Sequence, residues 1–205
     1  MGRLELIKDL LNERVLQNPR VLRAFKEINR KDFVPADLKN MAYENHPLTL
    51  ESGQTISQPY TVAFMLDLLE AGPGQKVLDV GFGSGWTTAL LSKIVGSKGK
   101  IFGLELLPEI YNFGRNNLQK YKLKNIKLFL GSGWDGLPDF APFERILVSA
   151  SASKIPQALK DQLKVGGRLV MPLADKITVL DKIGEDNFKT KDHWGFVFVP
   201  LIKHK

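Results

Sequence analysis

A short apolar run, Val77-Leu78-Asp79-Val80, leads straight into Gly81-Phe82-Gly83-Ser84-Gly85-Trp86, and a helical pattern follows from Trp86 to Val95. This junction constrains the chain more than any other stretch. In a doubly wound sheet the first strand–helix turn needs glycines, because backbone must approach a ligand closely while the helix N-terminus faces it. The dinucleotide fingerprint would require a third small residue at position 86, where Trp86 would crowd a pyrophosphate, so NAD and FAD are disfavoured. Gly96-Ser97-Lys98-Gly99-Lys100 is too short for a phosphate loop and precedes a strand. What remains is Gly-x-Gly-x-Gly, which suits a nucleoside ligand without a pyrophosphate; a tight structural turn would also explain the glycines.

The second strand ends in Gly103-Leu104-Glu105, twenty residues after Gly85. An acid there can accept hydrogen bonds from both ribose hydroxyls. Glycine loop and acid together describe a site for S-adenosylmethionine, with S-adenosylhomocysteine as the product form.

The surrounding pattern supports this frame. Short apolar runs at 77–80, 101–104, 126–130, 146–148, 168–171, 177–180 and 196–201 read as strands. Helical periodicity at 60–69, 86–95, 108–121 and 155–163 reads as the elements between them. Strands alternating with helices predict an α/β fold, a doubly wound and mostly parallel sheet. The last two strands, joined by a stretch without helical periodicity, are expected to pair as an antiparallel hairpin. Helical spacing over 3–17 and 19–29 predicts an N-terminal helical annex, followed by an irregular lead-in from 33 to 57. The expected organisation is an annex and lead-in over 1–57 and a core over 58–205, within one structural domain of 205 residues.

Composition narrows the chemistry. There is no cysteine, and the three histidines (His46, His193, His204) do not lie at metal-ligand spacing, so thiol nucleophiles, disulfides and a metal centre are not expected. Lysine and arginine number 29 against 22 acids, a formal charge of +7, but the cations are scattered, with modest groupings at 115–127 and at the end of the chain. A solvated surface is the simpler reading than a nucleic-acid patch. The longest uncharged stretch, Ser52 to Leu66, is 15 residues, below the ~18 that would suggest a membrane span. Acids among the N-terminal leucines argue against a signal peptide, so a cytoplasmic protein is expected.

Further segments resemble the protein-L-isoaspartate O-methyltransferases. These are Arg30-Lys31-Asp32-Phe33-Val34-Pro35, Ala42-Tyr43, Gly53-Gln54-Thr55-Ile56-Ser57-Gln58-Pro59-Tyr60, the glycine loop, Gly131 to Gly136, Gly166-Gly167-Arg168-Leu169 and Phe198-Val199-Pro200-Leu201. The Thr-Ile-Ser-Gln-Pro segment is the most specific of them. The resemblance implies the seven-stranded, Rossmann-like methyltransferase fold and methyl transfer to the carboxylate of L-isoaspartyl residues in damaged proteins. It places Ile56, Gly81, Phe82, Gly83, Ser84, Gly85, Glu105, Leu106, Ser132 and Gly133 around the cofactor, Ser57 as the catalytic hydroxyl, and Ser57, Ser149 and Ala150 at the substrate. It also implies isoaspartyl peptides and proteins as partners, no nucleic acid, no membrane, and a monomer. The chain departs from the family pattern at Ser132, where an acid meets the adenine amino group, and at Asn45, Leu173, Ala174, Thr178 and Ser149.

An isoaspartyl carboxylate, with a pKa of about 4, is already an anion at neutral pH and needs no general base. Near-attack geometry and exclusion of water are what such a reaction requires. Ser57 has two compatible readings: a hydroxyl that orients the acceptor, or an N-cap, since it precedes Gln58-Pro59 at a helix start. Trp86 and Trp134 could wall the pocket, Asp135 could stand in for the missing acid, and His46 reads as an ordinary loop residue. Two other functions fit the pattern less well: a methyltransferase with an RNA or small-molecule acceptor, and a non-catalytic cofactor-binding module.

Overall fold

A computed structural model describes residues 2–203; His204 lies outside them. Helix α1 (Arg3–Asn12) is shorter than its periodicity predicts, because Arg14 takes a left-handed φ of 57° and turns the chain. Val15 and Leu16 are still buried, but from the turn. Helix α2 (Pro19–Glu27) starts at the expected Asn18-Pro19 signal, with the Arg20 N–H donating to Asn18 Oδ1 at 2.9 Å. The lead-in consists of 3₁₀ turns at Arg30–Phe33, Ala36–Met41 and Glu51–Gly53, and a two-residue ribbon of β1 (Leu48–Thr49) and β2 (Thr55–Ile56).

From α3 (Pro59–Leu69) the alternation is regular: β3 (Lys76–Val80), α4 (Trp86–Val95), β4 (Lys100–Glu105), α5 (Pro108–Leu118), β5 (Ile126–Leu130), β6 (Phe143–Val148), α6 (Gln157–Asp161) and β7 (Leu163–Leu173). Strands β8 (Lys176–Gly184) and β9 (Asn187–Trp194) complete the chain's sheet. The order is β5-β4-β3-β6-β7-β8-β9, with pairing parallel as far as β7 and antiparallel beyond it. The order reverses between β3 and β6, so the carboxyl ends of these strands open a crevice where ligands bind in such sheets.

Both faces of the central parallel strands β3, β4 and β6 are largely buried, as a parallel sheet requires. On β3, Val77 packs with α2, α3 and α4 in one cluster, and Leu78 and Val80 point the other way, into a second cluster with Phe102, Ile146 and Met171. The first cluster runs unbroken from Leu6 of the annex to Val179 of β8. Truncating one such leucine to alanine costs about 2–5 kcal/mol.

The expected final strand is corrected. The antiparallel partner of β8 is Asn187–Trp194, not Phe196–Leu201. Asn187-Phe188-Lys189-Thr190-Lys191-Asp192 is an exposed edge strand, so it carries no apolar run and escapes a search for one. The apolar 196–201 segment folds over the sheet's carboxyl end instead. There Ser151 N–H donates to Val199 O at 2.8 Å and Leu201 N–H to Ser151 O at 2.7 Å.

Candidate active site

The crevice at the switch point is a concave, partly open cleft, at the place in such sheets where small-molecule sites form. Its walls come from four places: the glycine loop, the end of β4, the Gln54–Ser57 segment, and the C-terminal tail over Ser149-Ala150.

The glycine loop is pinned to β4. Gly81 N–H donates to Leu104 O at 2.8 Å, and Gly83 N–H to Glu105 Oε2 at 3.0 Å. Gly81 and Gly83 have φ of 72° and 55°, a region that side chains rarely enter, and a Cβ on Gly81 would meet no protein atom within 4 Å. The loop therefore presents bare backbone to open space. Glu105, buried at the wall, also accepts from Leu106 N–H at 2.8 Å and Leu107 N–H at 3.1 Å. A carboxylate has about four acceptor positions, so these three bonds fix its orientation and leave roughly one for a ligand, not the pair expected from sequence.

Most of the residues singled out from the sequence meet here: Ile56, Ser57, Gly81, Phe82, Gly83, Ser84, Glu105, Leu106, Gly133, Ser149 and Ala150 line the cleft. Two do not. Gly85 (φ 86°) faces α5, where a Cβ would stand 2.9 Å from Gly114 O, so it sets helix packing. Ser132 lines a neighbouring cavity, and its hydroxyl accepts from Trp134 N–H at 3.2 Å. Trp86 does wall the cleft. Trp134 and Asp135 sit with Ser132, and Trp134 Nε1–H ties down Leu201 O at 3.0 Å.

The N-cap reading of Ser57 is corrected. The first turn of α3 is capped from a distance, by Asn45 Oδ1 accepting from Tyr60 N–H at 3.0 Å. Ser57 Oγ makes no hydrogen bond to the described residues, and it lies where the cleft meets a second trough lined by Thr55, Thr61, Ser149 and Phe198. Among the described residues, neither cavity has a lysine, arginine or histidine in its wall, and Glu105 is the only charged residue lining them. His46 sits outside, hydrogen-bonded to Glu44 and raised from its ordinary pKa first by its bond to the Pro47 carbonyl and then by Glu44.

Three supporting residues were not found from sequence. Arg30 is buried, with no carboxylate partner. Its guanidinium donates to the carbonyls of Ala42 (2.8 Å), His46 (3.2 Å) and Ser57 (3.1 Å), and lies 5.3 Å from the Trp86 ring. Burial lowers its pKa to about 10, and it clips the lead-in, Ser57 included, against the glycine-loop helix. Gly114 on α5 lets the loop settle, because a Cβ there would overlap the Gly83 carbonyl and the Phe82 ring. Asp79, fully buried beneath the loop, has its pKa pushed up to about 7 by desolvation, against the pull of the Thr88 hydroxyl at 2.6 Å. A buried arginine held by backbone carbonyls, a packing glycine and a buried acid inside an apolar strand have no periodic signature.

A cleft at the switch point of a seven-stranded sheet, with a bare glycine loop, an oriented acid and no cation for a pyrophosphate, defines a Rossmann-like, S-adenosylmethionine-dependent methyltransferase. The chain belongs to the protein-L-isoaspartate (D-aspartate) O-methyltransferase family, whose model matches residues 2–205. It is 39% identical to the protein-L-isoaspartate O-methyltransferase of Methanopyrus kandleri over 98% of this chain and 91% of that one. It is 40% identical to that of Methanothrix thermoacetophila over 97% and 92%. A solved protein-L-isoaspartate O-methyltransferase from Plasmodium falciparum, in complex with S-adenosyl-L-homocysteine, shares the fold with a TM-score of 0.88 over the full length of both chains, at 23% identity.

Proposed function

We propose that this protein transfers a methyl group from S-adenosylmethionine to the free carboxylate of L-isoaspartyl residues in damaged proteins. The observation that carries the reading is the unpartnered Ser57 hydroxyl at the junction of an acid-walled nucleoside cleft with an uncharged, hydroxyl-bearing trough.

S-adenosylmethionine, when bound, supplies an electrophilic methyl on a sulfonium centre, the positive charge that the protein walls lack. The residues present fit it: Gly81 and Gly83 expose backbone, Glu105 keeps an acceptor position for a ribose hydroxyl, and Ile56, Leu106 and Ile110 give apolar wall. The trough suits an acceptor that arrives already ionised. With no cation in the wall among the described residues, a carboxylate is not locked into an ion pair that would blunt its nucleophilicity. Ser57 Oγ–H donates one hydrogen bond to it and sets its direction, and Arg30 keeps Ser57 in place through the Ser57 carbonyl. The absence of a histidine or lysine from the walls costs nothing here, since no proton has to be removed from a carboxylate at neutral pH. The tail from Val199 to Ile202 shields the junction from water, the condition under which an anion attacks most readily.

The test is methyl transfer from labelled S-adenosylmethionine to an isoaspartyl peptide, its aspartyl twin and bulk RNA. Label is expected in the isoaspartyl peptide alone. Equal labelling of the two peptides, or label in RNA, would reject the proposed acceptor.

A further inference from the structure

The turn Gly96–Gly99, which matches no phosphate loop, lies at the opposite end of the sheet from the cleft. It faces the α5–β5 loop across a cavity of about 1150 Å³ counted to its mouth. Six lysines line this cavity: Lys93, Lys98, Lys100, Lys122, Lys124 and Lys127. Lys93 pairs with Glu27 at 2.9 Å. The other five are exposed and, among the described residues, form no ion pair. No acid lines the cavity, and the chain carries none between Glu109 and Asp135. In sequence the lysines form two separate groups; the fold brings them together.

Their frame is held in place. Asn125 Nδ2–H donates to Gly96 O at 2.9 Å and Ser92 O at 3.3 Å, Ser92 Oγ–H donates to Asn125 Oδ1 at 2.5 Å, and Ile101 N–H donates to Asn125 O at 2.8 Å. Asn125 thus clamps the two lysine-bearing loops to each other. Five like charges around one concavity repel; Lys127 lies 5.8 Å over the Phe140 ring, but no acid among the described residues neutralises any of the five, so a multiply charged anion is the missing countercharge. The cations are all lysines, compact point charges suited to phosphate oxygens. No exposed aromatic lines the cavity to stack a nucleobase, which disfavours single-stranded nucleic acid.

We propose that this cavity binds a compact oligophosphate, either inorganic or the phosphate chain of a nucleoside triphosphate. The experiment is calorimetric titration of the full chain with inorganic tripolyphosphate and with ATP, the cleft saturated with S-adenosylhomocysteine, at about 50 and 200 mM salt. Tripolyphosphate and ATP are expected to bind alike, more weakly at higher salt. The double variant Lys98→Gln/Lys124→Gln should lose about tenfold or more in affinity, while Lys8→Gln/Lys191→Gln, equal in net charge and remote from the cavity, stays within about twofold. Asn125→Ala, checked for folding by its melting curve, should weaken binding without removing a charge. Equal losses in the two double variants would mean diffuse attraction and overturn the proposal. So would binding of ATP but not of tripolyphosphate, tighter binding of an oligonucleotide than of tripolyphosphate, or no binding of either phosphate.

Discussion

The two ends of the central sheet carry opposite chemistry. At the carboxyl ends of β3, β4 and β6 the cavity walls hold one charged residue among those described, Glu105, and the buried Asp79 lies just beneath. At the amino ends of β4 and β5 six lysines surround a cavity without an acid. The acidic end is also the more tightly built: Glu105 is fixed by three backbone N–H groups, and its loop is seated on Gly114. The lysine end is fixed only in its loops, through Asn125, while Lys98, Lys100, Lys122 and Lys124 stay exposed. A site for a cationic nucleoside has to be desolvated and oriented; a site for a polyanion needs only enough charge close together.

The contrast is broken most strongly at Glu105. Glu105→Ala removes the ligand's acceptor, so affinity for S-adenosylmethionine should fall by about 1.5–3 kcal/mol, a factor of about ten to a hundred or more by calorimetry, and the three N–H groups left unpaired should lower stability as well. Glu105→Gln keeps an acceptor oxygen without the charge, and its loss should be smaller. Parity of the two variants with the parent protein would show that the cleft does not use the acid.

Asp79 offers a test through pH. Its folded pKa of about 7 lies above the ordinary 3.8. Between about pH 4 and 7 the unfolded chain therefore gives up a proton that the folded one keeps, and stability falls as pH rises through that window. Asp79→Asn should abolish this fall and gain on the order of 4 kcal/mol above pH 7. Denaturant titrations from pH 4 to 8 would measure it, and parallel curves for the two proteins would refute the burial argument.

Gly114→Ala, which pushes a methyl into the Gly83 carbonyl, should cost about 2 kcal/mol and weaken cofactor binding as well. A variant as stable as the parent would mean that α5 shifts freely away from the loop.

Smallest in stability, and most telling for mechanism, is the pair Asn45→Ala and Ser57→Ala. Asn45 caps α3, so its loss should cost about 1 kcal/mol. Ser57→Ala should leave the melting temperature nearly unchanged and cofactor affinity intact, yet slow methyl transfer at least about tenfold, since a misdirected acceptor is a costly one. Full activity in Ser57→Ala would remove the hydroxyl from the mechanism.

How much of this was legible beforehand follows from range. The strand-to-helix junction at 77–95 and Glu105 could be read directly, because the strand, its turn and the helix are set by neighbours a few residues apart. The last strand was misplaced because Asn187–Trp194 is an edge, where alternation is weak and charges replace apolar residues. Proximity in sequence makes Ser57 one candidate for the cap of α3, whereas the acceptor comes from Asn45, fifteen residues before Tyr60.

The sequence by itself determined the order of strands and helices from α3 to β8, the bare backbone of the glycine loop, and the family, because each rests on local geometry or on contiguous residues. The tertiary structure alone decided that Arg30 fastens Ser57 to the loop, that Gly114 makes room for Gly83, that the 196–201 run closes the cleft, and that two scattered lysine groups share one cavity. These are contacts between segments far apart in the chain. Their partners are chosen by shape and unpaired charge once the sheet has formed, and neither quantity exists before the chain has folded.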